Sequence, residues 1–378
     1  MKETSCFQIR LITRILAFAC ILSMLLCYKL WLGHRNFPLS PIFDFLPILP
    51  KPIDSLLFVL TLILLLLIGI HRNPQKYIIA FLACALILAL LDQNRWQPWF
   101  YQYLLMFFIL SFFNFRCDDT RHLEAIKTIF KLLIGAIYFW SGLQKMNTHF
   151  LSDTYPWLME PIASYIGESL IKNIESLGKL FPIIETLTGI ALFFSPIKKI
   201  AFILLCMMHL FILFVLGPLG HNYNPVVWPW NVAMMAFAFI LFYNNTSFTT
   251  TQILEMLRYN SMKIVFILFM MMPLFNFFNL WDSYLSHNLY SGNTCNGVIY
   301  ISDSMENKLP DKIKPYSLGQ LNQNQITIKY WCMMELGVPA YPEKRNFEAI
   351  TNTLYKYAHD SSEVYLLYTP KLKASNFK

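Results

Sequence analysis

Five residues recur along one apolar, membrane-length segment: Gly135, Tyr138, Gly142, Lys145 and His149, at steps of three, four, three and four. That spacing places all five on one face of an α-helix. A lysine inside a membrane bundle is costly unless it is paired or functional, so Lys145 is the first candidate for chemistry. Glu185 lies about six residues into the next apolar run, roughly 9 Å deep at 1.5 Å per residue. A carboxylate at that depth needs a partner or a proton. His209 sits near mid-depth in the run after that, and its imidazole suits orientation or proton transfer. Tyr138 and Trp140 would line such a pocket beside Gly142, with Trp230 and Asn231 closing it.

The elements that must position these residues follow from composition. The chain has 378 residues, of which 56% are hydrophobic and only 14% charged. A soluble domain carries about 25% charged residues, so the composition is that of a polytopic membrane protein. About nine runs are long enough to span the hydrocarbon core, roughly 10–32, 53–71, 76–92, 97–114, 123–145, 179–196, 198–220, 225–243 and 262–281. Residues 1–281 therefore read as an all-α transmembrane bundle, embedded in the bilayer. Residues 282–378 read as a small external α+β domain, with strands near 297–302, 325–331 and 363–368 and a helix over 343–358. The proline-rich loop 33–52 cannot form a continuous helix and is expected to fold back onto the membrane surface. The loop 147–178 is expected to lay one or two amphipathic helices on the bundle mouth.

The net charge of +8 is scattered at helix ends and carries no nucleic-acid signature. Arg72, Lys76, Arg116, Arg121, Lys127, Lys198, Lys199, Arg258 and Lys263 fall in alternate loops, which by the positive-inside rule face the cytoplasm. The N-terminus would then be cytoplasmic and the tail external, in a multi-pass protein of the cell (plasma) membrane. The eight cysteines show no CxxC and no pair of histidines has metal spacing, so no metal site is expected. Cys6, Cys20, Cys27, Cys84, Cys117 and Cys206 read as small apolar residues in or beside helices. Cys295 and Cys332 share the tail, where an oxidising compartment would allow a disulfide. Plainer roles also exist: Lys145 snorkelling to the interface, Trp230 in an interfacial belt, His209 bonded to a carbonyl, and Asp92 with Arg95 as a local pair.

The run Tyr138-x-x-x-Gly142-x-x-Lys145 followed by Asn147 resembles the horizontally transferred transmembrane domain family, the relatives of vitamin K-dependent gamma-glutamyl carboxylase. Glu185-x-x-x-Gly189-Ile-Ala-Leu-Phe-Phe and Met208-His209-Leu-Phe resemble the two helices that follow in that family. The resemblance covers about 130–215 and extends more distantly to the DoxX and methylamine-utilisation membrane proteins. It implies a reduced quinone as cofactor, with Lys145 as its base, a role that requires Glu185 to be protonated or engaged elsewhere, for instance with His209. In the functional reading built on it, His209 is an orienting partner and Glu185 a proton-sharing group. Gln144 stands where the animal enzymes tend to carry a second lysine, and the large propeptide-binding domain is replaced by a short tail. Two functions stay open: a quinol-dependent, carboxylase-like or oxidoreductase enzyme with an outward-facing pocket for a quinone or lipid, and a maturation or assembly factor that binds a protein partner through its tail. A transporter is a third reading, disfavoured because the polar residues gather at one end of the bundle.

Overall fold

The computed structural model describes residues 2–50, 52–167, 176–243, 248–317 and 324–372. It is mostly helical, and five of its helices are long and apolar enough to cross a membrane, which makes the chain a multi-pass membrane protein. These are α1 (Lys2–Leu26), α2 (Ile53–Ile70), α5 (Thr120–Gln144), α8 (Lys198–Leu216) and α11 (Asn260–Phe278). Between them lie α3 (Gln75–Leu90), α4 (Pro98–Ser111), α6 (Tyr155–Ile166), α7 (Leu180–Ala191), α9 (Val227–Ala238) and α10 (Thr250–Met256). Each of the nine expected spans therefore contains a helix, but four of those helices are shorter than a full crossing. For α4 the reason is visible: it is buried on nearly every face, so it need not bridge hydrocarbon by itself. Among the described residues of the loop 147–178, helix α6 follows one π-helical turn; residues 168–175 lie outside the described residues.

Helix α5 is the axis of the bundle. Its most apolar window is 89% buried, against 28% for α8. Asp119 caps its start by accepting from the backbone N–H groups of Arg121 and His122. It packs closely along α7 because glycines meet there. A Cβ on Gly142 would lie 2.5 Å from the Thr186 nitrogen and 2.6 Å from the Pro182 carbonyl oxygen. A Cβ on Gly189 would lie 2.6 Å from the Gly135 oxygen. Small residues that let two backbones touch are the ordinary means of helix association in lipid.

The tail forms a three-stranded antiparallel sheet in the order β2–β1–β3, with β1 (Asn296–Ile301) central, β2 (Gln325–Thr327) and β3 (Val364–Thr369). Ile299 pairs with Ile326 on one side and Leu366 on the other. The strand expected over 325–331 stops at Thr327, and Ile328–Leu336 is helix α12. There the apolar residues are spaced to bury Ile328, Trp331 and Cys332 on one side, a helical period. Helix α13 (Lys344–Asn352) is shorter than expected and gives way to a 3₁₀ turn.

The loop Asp92–Gln97 docks this domain onto the bundle. Asn94 Oδ1 accepts from the Tyr341 N–H and from Asn346 Nδ2, both at 3.0 Å, and Gln97 Nε2 donates to the Pro339 carbonyl. Phe37, from the proline-rich loop, is buried against Trp331, while Phe43 and Phe45 stay exposed. Asp92 pairs with Arg35 and not with Arg95, whose guanidinium donates to the Leu30 and Leu88 carbonyls. Both members of the Arg35–Asp92 pair are essentially excluded from solvent. Asp92→Ala would leave a buried guanidinium without its counter-charge, at a cost of about 3–5 kcal/mol. Denaturant unfolding in detergent measures this, and a loss below about 1 kcal/mol would show the pair to behave like a surface one.

The cysteines correct the sequence reading once and decide a question it leaves open. Cys6 and Cys117 form a disulfide that ties the start of α1 to the loop before α5. Cys295 and Cys332 are both buried and unbridged, and the Cys295 sulfur instead lies 3.0 Å from the Tyr368 hydroxyl.

Candidate functional site

At the end of α5 nearer the C-terminal domain, Lys145 turns inward to Glu185 on α7. Its ammonium lies 2.9 and 2.8 Å from the two carboxylate oxygens and 2.6 Å from the Ser141 hydroxyl. An ammonium has three N–H donors, and these three acceptors use them all. The pair is mostly buried, with side-chain exposures of 13% and 11%. Glu185 is thus engaged with Lys145 and not with His209, contrary to the arrangement that a free lysine base would need. The α5–α7 glycine contact explains the geometry, since only close backbones let a carboxylate on α7 reach the last turn of α5.

His209 belongs to a separate hydrogen-bonded chain. Asn231 Nδ2 donates to the Val227 carbonyl at 2.6 Å, which fixes the amide with its oxygen toward His209. His209 Nδ1 lies 2.6 Å from that oxygen and must be its donor. Nε2 is then the acceptor, and the Tyr138 hydroxyl, 2.5 Å away, donates to it. The phenolic oxygen keeps its own lone pairs for another donor. Three helices, α5, α8 and α9, contribute one side chain each to this relay.

Both groups face one cavity of about 70 Å³, lined also by Trp230, Met208, Met234 and Tyr290. An apolar cavity of about 150 Å³ takes up benzene, so in this state the space admits the hydroxyl-bearing edge of a ring and not the whole ring. A second cavity, of about 430 Å³, lies under the C-terminal domain against Trp157, His221, Tyr223 and Phe347. Leu289 and Tyr290 line both cavities and form the wall between them.

Of the residues read from the sequence, Lys145, Glu185, His209, Tyr138, Trp230 and Asn231 meet at this cavity. Trp140 does not: its indole donates to the Met270 carbonyl at 3.1 Å, on another face of α5. Gly142 is a packing residue against Thr186 and Pro182. His149 is exposed and pairs with Asp153, because α5 ends at Gln144 and the stripe does not continue. Three participants were missed. Ser141 stands four residues before Lys145, so helical spacing could have found it. Gln102, fully buried on α4, accepts from the Trp230 indole at 2.7 Å.

The third is His287, which lies beyond α11 and also lines the cavity. It is 3% exposed, and burial pushes its imidazole down to about 3. It is therefore neutral near pH 7, with one donor and one acceptor.

Among the described residues no group of three His, Cys, Asp or Glu side chains is placed to hold a metal. The chain matches no protein-family model, no curated protein and no solved structure.

Proposed function

We propose that this protein is a membrane-embedded enzyme performing acid–base chemistry on a lipophilic hydroxyl compound of the quinol class, in a pocket that opens away from the cytoplasm. The supporting observation is the convergence of the Lys145–Glu185 pair and the Tyr138–His209–Asn231 relay on one otherwise apolar cavity. Such an arrangement is expensive in a membrane bundle and is hard to account for by stability alone.

In this reading a substrate hydroxyl donates to the free lone pair of Tyr138, and the Tyr138 proton moves along its bond to His209 Nε2. Asn231 holds the imidazole in the tautomer that can accept it. The other route runs through the ion pair: when Lys145 passes a proton to Glu185, its amine becomes a base facing the cavity. A reduced quinone would supply the electrons and oxygen would accept them, since none of these side chains does either. The lining fits the hydroxyl edge of such a ring, and admission of the whole ring requires Tyr290 or Leu289 to swing toward the larger cavity. The resemblance to the carboxylase relatives supports the same assignment of Lys145.

The test is to supply a reduced naphthoquinone and oxygen to the protein purified in detergent, following quinol loss by absorbance and products by mass spectrometry. The expected result is turnover by wild type that falls about 10²–10⁴-fold in Tyr138→Phe, the range typical of a lost acid–base group. Equal rates in the two proteins across several quinols would overturn the proposal.

A further inference from the structure

The segment that separates the two cavities is unusual in several respects. It follows α11, and both His287 and Tyr290 hold left-handed backbone conformations, with φ of 58° and 54°. Histidine is among the residues that tolerate this region, but tyrosine is not, so the conformation is enforced by its surroundings. Gly292 two residues later, at φ 75°, packs on the His149 and Phe150 backbone, where any Cβ would come within 2.8 Å. The segment is thus pinned at the mouth of α5, with its side chains turned into the bundle.

His287 is buried, faces the cavity, and has no hydrogen-bond partner for either ring nitrogen among the described residues. Its ring packs on Phe269, 4.2 Å between centroids, and Phe269 in turn stacks on Tyr101 of α4. It therefore approaches the cavity from the α4–α11 side, whereas Lys145 and Glu185 approach from α5 and α7. A buried imidazole left unpaired on both nitrogens is destabilising by itself, and asparagine would suit the left-handed backbone without placing an unpaired ring in the cavity. The polar ring is explained if something entering the cavity completes its bonding.

We infer that His287 is a substrate-binding residue: it hydrogen-bonds a second oxygen function on a lipophilic ring whose first hydroxyl is held by Tyr138 and the Lys145–Glu185 pair. The preferred ligand is then a ring with oxygen functions on two sides, a diol or hydroxy-ketone, over a ring with one hydroxyl. This rests on the reading of the cavity as a substrate site and adds the group that makes it selective. A neutral imidazole can donate to an oxo group or accept from a hydroxyl, so it serves both the reduced and the half-oxidised ring.

The experiment compares binding of reduced 1,4-naphthoquinone and of 1-naphthol to the full chain in detergent, by anaerobic equilibrium dialysis. Wild type is expected to bind the diol about tenfold more tightly, the worth of one well-formed hydrogen bond. His287→Phe should bind both probes equally, at the wild-type affinity for 1-naphthol. His287→Asn tolerates the left-handed backbone and is too short to reach across the cavity, so it should give the same equal binding if the phenylalanine variant does not fold. A wild-type protein without diol preference, or variants that keep it, would overturn the assignment. Lysine-dependent quinol turnover without a His287-dependent preference would refute only this inference. A His287-dependent preference without such turnover would refute the proposed reaction and leave the binding role in place. Failure of either probe to bind removes both.

Discussion

Lys145→Met is expected to abolish quinol turnover, by about 10²–10⁴-fold, and also to weaken the fold. The two effects have separate origins. Removing the lysine leaves the Glu185 carboxylate, only 9% exposed, without the cation that it meets at 2.8 Å. Breaking a buried pair from one side costs about 3–5 kcal/mol, while replacing both partners by apolar residues of similar size is often neutral. The double variant Lys145→Met/Glu185→Leu should therefore recover most of the thermal stability lost by the single variant and none of the turnover. The comparison needs a thermal midpoint and a quinol-loss rate for wild type, both single variants and the double variant. If the double variant regains turnover with its stability, the pair is structural and the base assignment fails.

This comparison is more decisive than removing the tail, which at first sight would separate an enzyme from an assembly factor. His287, Leu289 and Tyr290 belong to the segment after α11 and line the cavity. Deleting 282–378 would dismantle the site along with any docking surface, so both functions predict the same loss. The docking itself, through Asn94 with Tyr341 and Asn346, makes the tail a cover for the bundle end.

What could be read in the sequence were features carried by one helix at a time. Tyr138 and Lys145 fall seven residues apart, two turns on one face, and both reach the cavity. Glu185 and His209 were singled out because a charge or an imidazole among apolar neighbours asks for a partner. Which partner each takes depends on how helices sit against one another, and no periodicity encodes that. Hence the sequence leaves Glu185 open to Lys145 or to His209; it bonds Lys145, and Tyr138 supplies what His209 needs. Trp140 was misplaced because two residues along a helix is a rotation of about 200°, away from Tyr138. His287 left no trace: it lies in polar, irregular sequence, and only the folded chain carries it back to α5. Cys6 and Cys117, 111 residues apart, are likewise brought together by tertiary structure alone.

The distance between α5 and α7 sets the site, which makes Gly189 the second position where a small change should have a large effect. Gly189 touches the Gly135 carbonyl and the Phe139 backbone, where a methyl group would sit 2.6 and 2.7 Å from backbone atoms that no side-chain rotation can move. Gly189→Ala must therefore push the helices apart, with an overpacking cost of about 1–3 kcal/mol. The Lys145–Glu185 contact at 2.8 Å lies roughly one turn from this crossing and has little length to spare before it ceases to be a hydrogen bond. A displacement of about 1 Å in such a group can cost on the order of 10² in rate. Turnover should thus fall much further than the stability loss alone explains, even at temperatures where the variant is fully folded. Leu187→Ala, a truncation on the 56%-exposed face of the same helix, serves as the control and should leave turnover near wild type. Equal thermal midpoints and equal rates for Gly189→Ala and wild type would mean that the helices have slack at this crossing. The close approach would then not be what holds Glu185 on Lys145.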